Sequence, residues 1–170
     1  QIGLVFNGAI YNFHTLRKEL EQRGCRFKSQ TDTEVLLLGY REWGIDTLAR
    51  KIDGMFAFAI WDAKEKELFA ARDRFGEKPF FYYFDKNQFL FASEMKALWA
   101  AGIDRIPNQK MLFNFITIGY TDNPNQPGET FFENIHKLPT ATCLKYSLSK
   151  NELTLEKYWD IDPEKQDKHI

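Results

Sequence analysis

The chain has 170 residues, 44% hydrophobic and 28% charged, with 23 Lys plus Arg against 24 Asp plus Glu and a formal net charge of -1. One soluble domain of that length buries roughly two-thirds of its unfolded surface, so neither metal nor disulfide staples are required. The charge balance leaves no electrostatic footprint for nucleic acid or an anionic membrane, no apolar run reaches membrane-spanning length, and no basic region leads into an apolar N-terminal stretch. Cys25 and Cys143 stand alone without metal-ligand spacing, which fits a reducing compartment. Sixteen Phe imply a large core.

In chain order, Ile2 to Phe6 reads as a buried strand, interrupted at Asn7-Gly8 and resumed at Ala9 to Tyr11. Asn12 is the expected N-cap of a helix from Phe13 to Arg23, with Phe13, Leu16 and Leu20 on one face and Gly24 as its stop. Thr31 and Glu34 form a capping box for a second helix that Gly44 ends, and Thr47 to Lys51 adds a helical turn. Met55 to Trp61 alternates large and small residues, yet both faces are apolar, so the strand must be covered on both sides. Strands follow at Glu67 to Arg72, Phe80 to Phe84 and Phe89 to Ala92, with polar hairpin turns between. Ser93 caps a helix through Ala101, and another helix runs from Asn108 to about Thr117. Residues Tyr120 to Thr130 form a loop, and short strands are expected near Phe131 to His136, Thr142 to Tyr146 and Leu153 to Tyr158. The pattern predicts an α+β fold, sheet packed on sheet with helices outside.

The segment Phe6-Asn-Gly-Ala-Ile-Tyr-Asn12 admits two readings. Asn-Gly between apolar runs is a hairpin signal. The same atoms, an Asn carboxamide beside a Gly amide, offer two converging N–H donors of the kind a developing oxyanion needs. The motif alone does not decide.

Taken with Thr31-Asp-Thr-Glu34, Asp53-Gly-Met-Phe-Ala-Phe-Ala-Ile-Trp-Asp62, the run from Ala71 through Arg72-Asp-Arg-Phe-Gly-Glu-Lys-Pro79 to Tyr83, and Phe91-Ala-Ser-Glu-Met-Lys-Ala-Leu98, it resembles the glutaminase domain of asparagine synthetases. These are class II glutamine amidotransferases of the N-terminal-nucleophile hydrolase fold, and the likeness runs from Leu4 to about Trp159. It implies a four-layer αββα sandwich, incomplete at its N-terminus. It further implies that Asn7 and Gly8 form the oxyanion hole, that Asp32 holds the α-ammonium of L-glutamine, and that Ala9 stands where the family has a ligand-binding Glu. Asp32 also suits a helix N-terminus on its own account. For Arg72, Asp73, Gly76, Lys78 and Pro79 the expectation is a tight structural turn with an ion pair.

The family's nucleophile is an N-terminal Cys whose own amine is the base. Here the first residue is Gln1, and neither thiol nor any of His14, His136 and His169 replaces that chemistry. Residues 1–160 are therefore read as an amidotransferase domain without its nucleophile segment, and 161–170 as a polar tail or linker toward an absent synthetase domain. ATP and Mg are expected only for that domain; on this piece no cofactor or metal is expected. A cytoplasmic location, self-association through an exposed sheet edge and inactivity of the isolated piece are further expectations. The alternatives are a nucleophile-less relative of the β-lactam-synthetase kind and a non-catalytic scaffold.

Overall fold

The two-sided apolar strand sets the layering. In the computed structural model, which describes residues 1–161, β2 (Gly54–Asp62) points Phe56, Phe58 and Ile60 into one core and Ala57 and Ala59 into another. Each of the fully buried Phe side chains contributes about 1.5–3 kcal/mol of burial. The first core is closed by helices α1 (Phe13–Gln22) and α2 (Asp32–Lys51) through Leu16, Leu20, Val35, Leu36 and Leu48. The second is closed by a smaller sheet.

Strand β2 sits in a five-stranded antiparallel sheet of order β1-β2-β3-β7-β8, with β1 Ile2–Ile10, β3 Glu67–Arg72, β7 Thr142–Ser147 and β8 Glu152–Lys157. The smaller sheet has order β5-β4-β6, from β4 Phe81–Phe84, β5 Phe89–Ala92 and β6 Ile135–Lys137. Small residues on the large sheet (Ala57, Ala59, Ala70) face Phe80 and Tyr82, so the sheets approach closely. Helix α3 (Met95–Ala100) covers the outer side of the small sheet through Leu98, with Ile103 and Ile135. The result is helix, sheet, sheet, helix. The predicted α+β sandwich stands.

Several local expectations change. Asn7-Gly8 makes no hairpin: β1 runs unbroken through it, paired with β2 from Ile2↔Asp62 to Ile10↔Gly54. Asn12 holds the N-cap position of α1 but makes no side-chain cap bond. Its amide instead donates to the Lys51 carbonyl (2.9 Å) and its Oδ1 accepts from Asp53 N–H (3.0 Å), buckling the end of β1 to the start of β2. Thr31 caps α2 by accepting from Glu34 N–H, but the Glu34 carboxylate reaches back to Lys28 N–H (2.8 Å) and Ser29 N–H (2.6 Å) rather than closing the reciprocal box. Gly44, at φ 74°, breaks the helix, and helical geometry resumes to Lys51. Ser93 is not the cap of α3; Glu94 holds that position, without a side-chain bond. Asn108 does cap α4 (Gln109–Ile118), accepting from Met111 N–H. The strand expected at 131–136 is only Ile135–Lys137. Of the tail read at 161–170, all but Ile161 lies outside the described residues.

The turn after β3 is built differently from the expected ion pair. Asp73 is 1% exposed, and its carboxylate accepts the backbone N–H groups of Phe56, Phe75, Glu77 and Lys78. Arg72, also buried, donates to the carbonyls of Lys78, Leu138 and Gly76. Both charges are spent on main-chain groups, which knots the turn to both sheets. Burial draws the Arg72 guanidinium below its ordinary pKa.

Candidate active site

Among the described residues strand β1 ends its sheet, and its register determines which amides are free. Gln1 accepts from Ala63 N–H and Tyr11 donates to the Asp53 carbonyl, so odd-numbered residues of β1 exchange hydrogen bonds with β2 along the whole register. Even-numbered residues therefore turn N–H and C=O toward the open edge. Gly8 and Ile10 are two of these.

Position 8 admits only glycine. Its φ is 146°, and a Cβ there would fall 2.0 Å from the Met55 carbonyl oxygen. Opposite, a Cβ on Gly54 would fall 2.2 Å from the Ala9 oxygen. Close backbone approach from both strands fixes this end of β1, and the Asn12 buckle and an Arg74–Asp53 ion pair (3.1 Å) secure it from behind. The Gly8 N–H has no partner among the described residues.

The structure brings Asp32 to the same edge. It begins α2, and its Oδ2 accepts from Ile10 N–H at 3.1 Å. The carboxylate thus stands two residues beyond Gly8 on the free side of β1, favoured by the helix dipole behind it. Asn7, exposed and without a side-chain hydrogen bond among the described residues, opens onto a cleft of about 290 Å³ between the two sheets. Val5, Phe80 and Phe91 give that cleft apolar walls, and Ser93 adds a second polar side chain at its rim. Strand alternation puts Ala9 on the same face as Asn7. Asn7, Gly8, Ala9 and Asp32, scattered over two sequence motifs, are therefore neighbours at one end of one edge strand.

Ser93 and the Asn12 buckle escape a sequence reading, since each reads as a helix cap and only the fold shows what else its side chain meets. The other expected non-participants stay apart. Both thiols belong to the core between the helices and the large sheet, on the face of β1 opposite Asn7. Burial pushes the Cys143 thiol up to about 12. His14 lies on α1 against Phe13, and His136 lies on β6 against Tyr82. His169 is outside the described residues. Among the described residues no group of His, Cys, Asp or Glu has the arrangement of a metal site, and no helix is long and apolar enough to cross a membrane.

The glutamine amidotransferase domain family matches residues 1–159. Asparagine synthetase [glutamine-hydrolyzing] 3 of Bacillus subtilis is 41% identical over 167 residues, covering 95% of this chain and 26% of that protein. A putative asparagine synthetase [glutamine-hydrolyzing] 2 of Methanocaldococcus jannaschii is 34% identical over 164 residues, covering 93% of this chain and 30% of that protein. The chain thus spans between a quarter and a third of these curated relatives. In fold it resembles the glutamine phosphoribosylpyrophosphate amidotransferase of B. subtilis, with a TM-score of 0.66 at 19% identity over 93% of this chain and 29% of that one. With nearly every described residue inside the match, the chain belongs to the glutamine amidotransferase domain family, and is similar over almost its whole length to the asparagine synthetases.

Proposed function

We propose that the chain is the glutamine-binding part of an asparagine-forming enzyme, in which glutamine and water give glutamate and ammonia and a separate synthetase part uses the ammonia. The observation that supports this most is the free edge of β1, where the unpaired Gly8 N–H, the Asn7 carboxamide and the Asp32 carboxylate lie together. A glutamine there would set its α-ammonium against Asp32 and its side-chain carbonyl oxygen against Gly8 and Asn7. When a thiolate attacks the carboxamide carbon, a C–S bond forms and the carbonyl π electrons move to oxygen. The two N–H donors stabilise that oxyanion, contributing about 3–4 kcal/mol each by analogy with single oxyanion-hole donors. The proton lost by the thiol passes to the leaving nitrogen, collapse expels ammonia, and water then cleaves the thioester to glutamate and restores the thiol.

The attacking thiol is neither Cys25 nor Cys143, which face the opposite core. The isolated chain should therefore bind glutamine without turning it over. Amide NMR of the 15N-labelled chain tests this directly. L-Glutamine should shift the Gly8 and Ile10 resonances, L-aspartate should not, and no glutamate should form. Glutamine that leaves those two amides unmoved would sink the reading.

Ala9 favours a second reading. A domain without the family's additional carboxylate at this position could persist as a nucleophile-less, β-lactam-synthetase-like relative, and the same titration would then show no glutamine effect.

A further inference from the structure

Helix α4 is apolar around most of its circumference, and the body of the protein buries it only at Met111. Met111 is fully buried, and the half-exposed Phe115 meets the Phe131 ring edge-on at 5.7 Å, so the helix is anchored on that side. At 100° per residue, Leu112, Ile116 and Phe113 fall within an arc of about 100° on the other side. Phe113 is 66% exposed and Ile116 80%. The one charged residue of α4, Lys110, is held by Glu129 (3.0 Å) and Gln126 (3.1 Å), so the outward stripe carries no charge. A solvated helix would carry charge on its outer face; this one carries a contact surface.

We infer that the outward stripe of α4 is the seat of the remaining part of a longer polypeptide, an inference that rests on the glutaminase reading above for the presence of that part. Two considerations choose this occupant. Relatives matched across 95% and 93% of this chain have only 26% and 30% of their own length in the match, so in them the domain adjoins a much larger companion. Area argues against a second copy. Three such side chains offer on the order of 400 Å² per copy, short of the roughly 800 Å² per partner of a stable dimer. A tethered companion escapes that requirement, because linkage holds its effective concentration near the millimolar range. An uncharged apolar stripe also suits a permanent contact better than a transient one.

Hydrogen exchange compares this chain alone with the polypeptide encoded by the complete reading frame, each with Ile116 and with Ile116→Glu. The expected result is at least tenfold slower exchange of the α4 amides in the complete polypeptide, returned by Ile116→Glu to the rate of the chain alone while β2 and β3 stay protected. Equal α4 exchange in the two proteins overturns the inference. So does protection that appears in the chain alone as its concentration rises, which would assign the stripe to a second copy, and so does a reading frame no longer than this chain. If α4 is protected in the complete polypeptide while glutamine leaves Gly8 unmoved, the docking face is supported and the glutaminase reading alone falls.

Discussion

The Asp32 carboxylate and the Ile10 amide are 22 residues apart in sequence and 3.1 Å apart in space, joined by a hydrogen bond that aims a side chain from a helix start along a strand edge. Oδ2 is spent on the strand, while Oδ1 has only a long contact from the Thr33 hydroxyl (3.5 Å), so under the proposed function Oδ1 is the oxygen that would meet a ligand ammonium. Asp32→Asn keeps the shape and removes the charge. A hydrogen bond to a charged group contributes about 1.5–3 kcal/mol, so glutamine affinity should fall by roughly tenfold to a hundredfold, read from the Gly8 amide titration. An unchanged affinity would mean that Asp32 serves only the helix.

Gly8→Ala tests the strand edge itself. With a Cβ at 2.0 Å from the Met55 oxygen and φ at 146°, β1 must shift or separate from β2. Strain of that kind costs more than about 2 kcal/mol. Urea denaturation should show the loss, and Gly3→Ala, whose Cβ would meet nothing within 4 Å, should show little. Equal effects would remove the close approach as the reason for glycine at position 8.

Asp73 carries the turn between the sheets. Asp73→Ala leaves the N–H groups of Phe56, Phe75, Glu77 and Lys78 without their acceptor in a buried site. Each unsatisfied donor costs about 1–3 kcal/mol, and water reaching the turn offsets part of the sum. A loss of at least about 3 kcal/mol in chemical denaturation is expected. A loss under about 1 kcal/mol would return the turn to the ion pair that the sequence suggested.

What could be read without coordinates divides along a physical line. The two-sided apolar run at Met55 to Trp61 fixed the sandwich because burial on both faces is a local property of the residues. Of the two readings of Asn7-Gly8 the hairpin fails, because turn propensity competes with a long-range pairing partner that no local window contains. The same applies to Arg72 and Asp73: adjacent opposite charges suggest each other, whereas the fold offers both a better-matched set of main-chain groups. The pairing of β3 with β7 and the place of β1 at the sheet edge are likewise non-local, and the site depends on the second. Its residues were legible as a motif, their juxtaposition was not.

Glu34 gives the fold an acid-sensitive latch. Its carboxylate accepts from the Ser29 hydroxyl and from the N–H groups of Lys28 and Ser29, and these bonds, the Ser29 hydroxyl foremost, hold its pKa below the usual 4.5. A carboxyl with a lowered folded-state pKa stabilises fully above its unfolded value. That stabilisation is lost as pH falls below about 4.5 and through the folded-state value. Thermal melts of the parent and of Glu34→Gln should therefore differ near neutral pH and converge as the solution is acidified below that point. A constant difference down to pH 3 would sink the assignment.

Ala9 is the position where one substitution should tighten ligand binding. It shares its face of β1 with Asn7, is only partly buried, and lies next to the Gly8 amide. A carboxylate introduced there would join Asp32 in meeting the ammonium of glutamine. A further charge-assisted hydrogen bond at such a partly solvated edge is worth about 1–2 kcal/mol. Ala9→Glu should then tighten glutamine by about tenfold, and Ala9→Gln, with the same length and no charge, by much less. If both variants bind glutamine as the parent does, the face shared by Asn7 and Ala9 is not where the amino end of the ligand lies. Asp32 would then have to hold it alone, from the edge side of the strand.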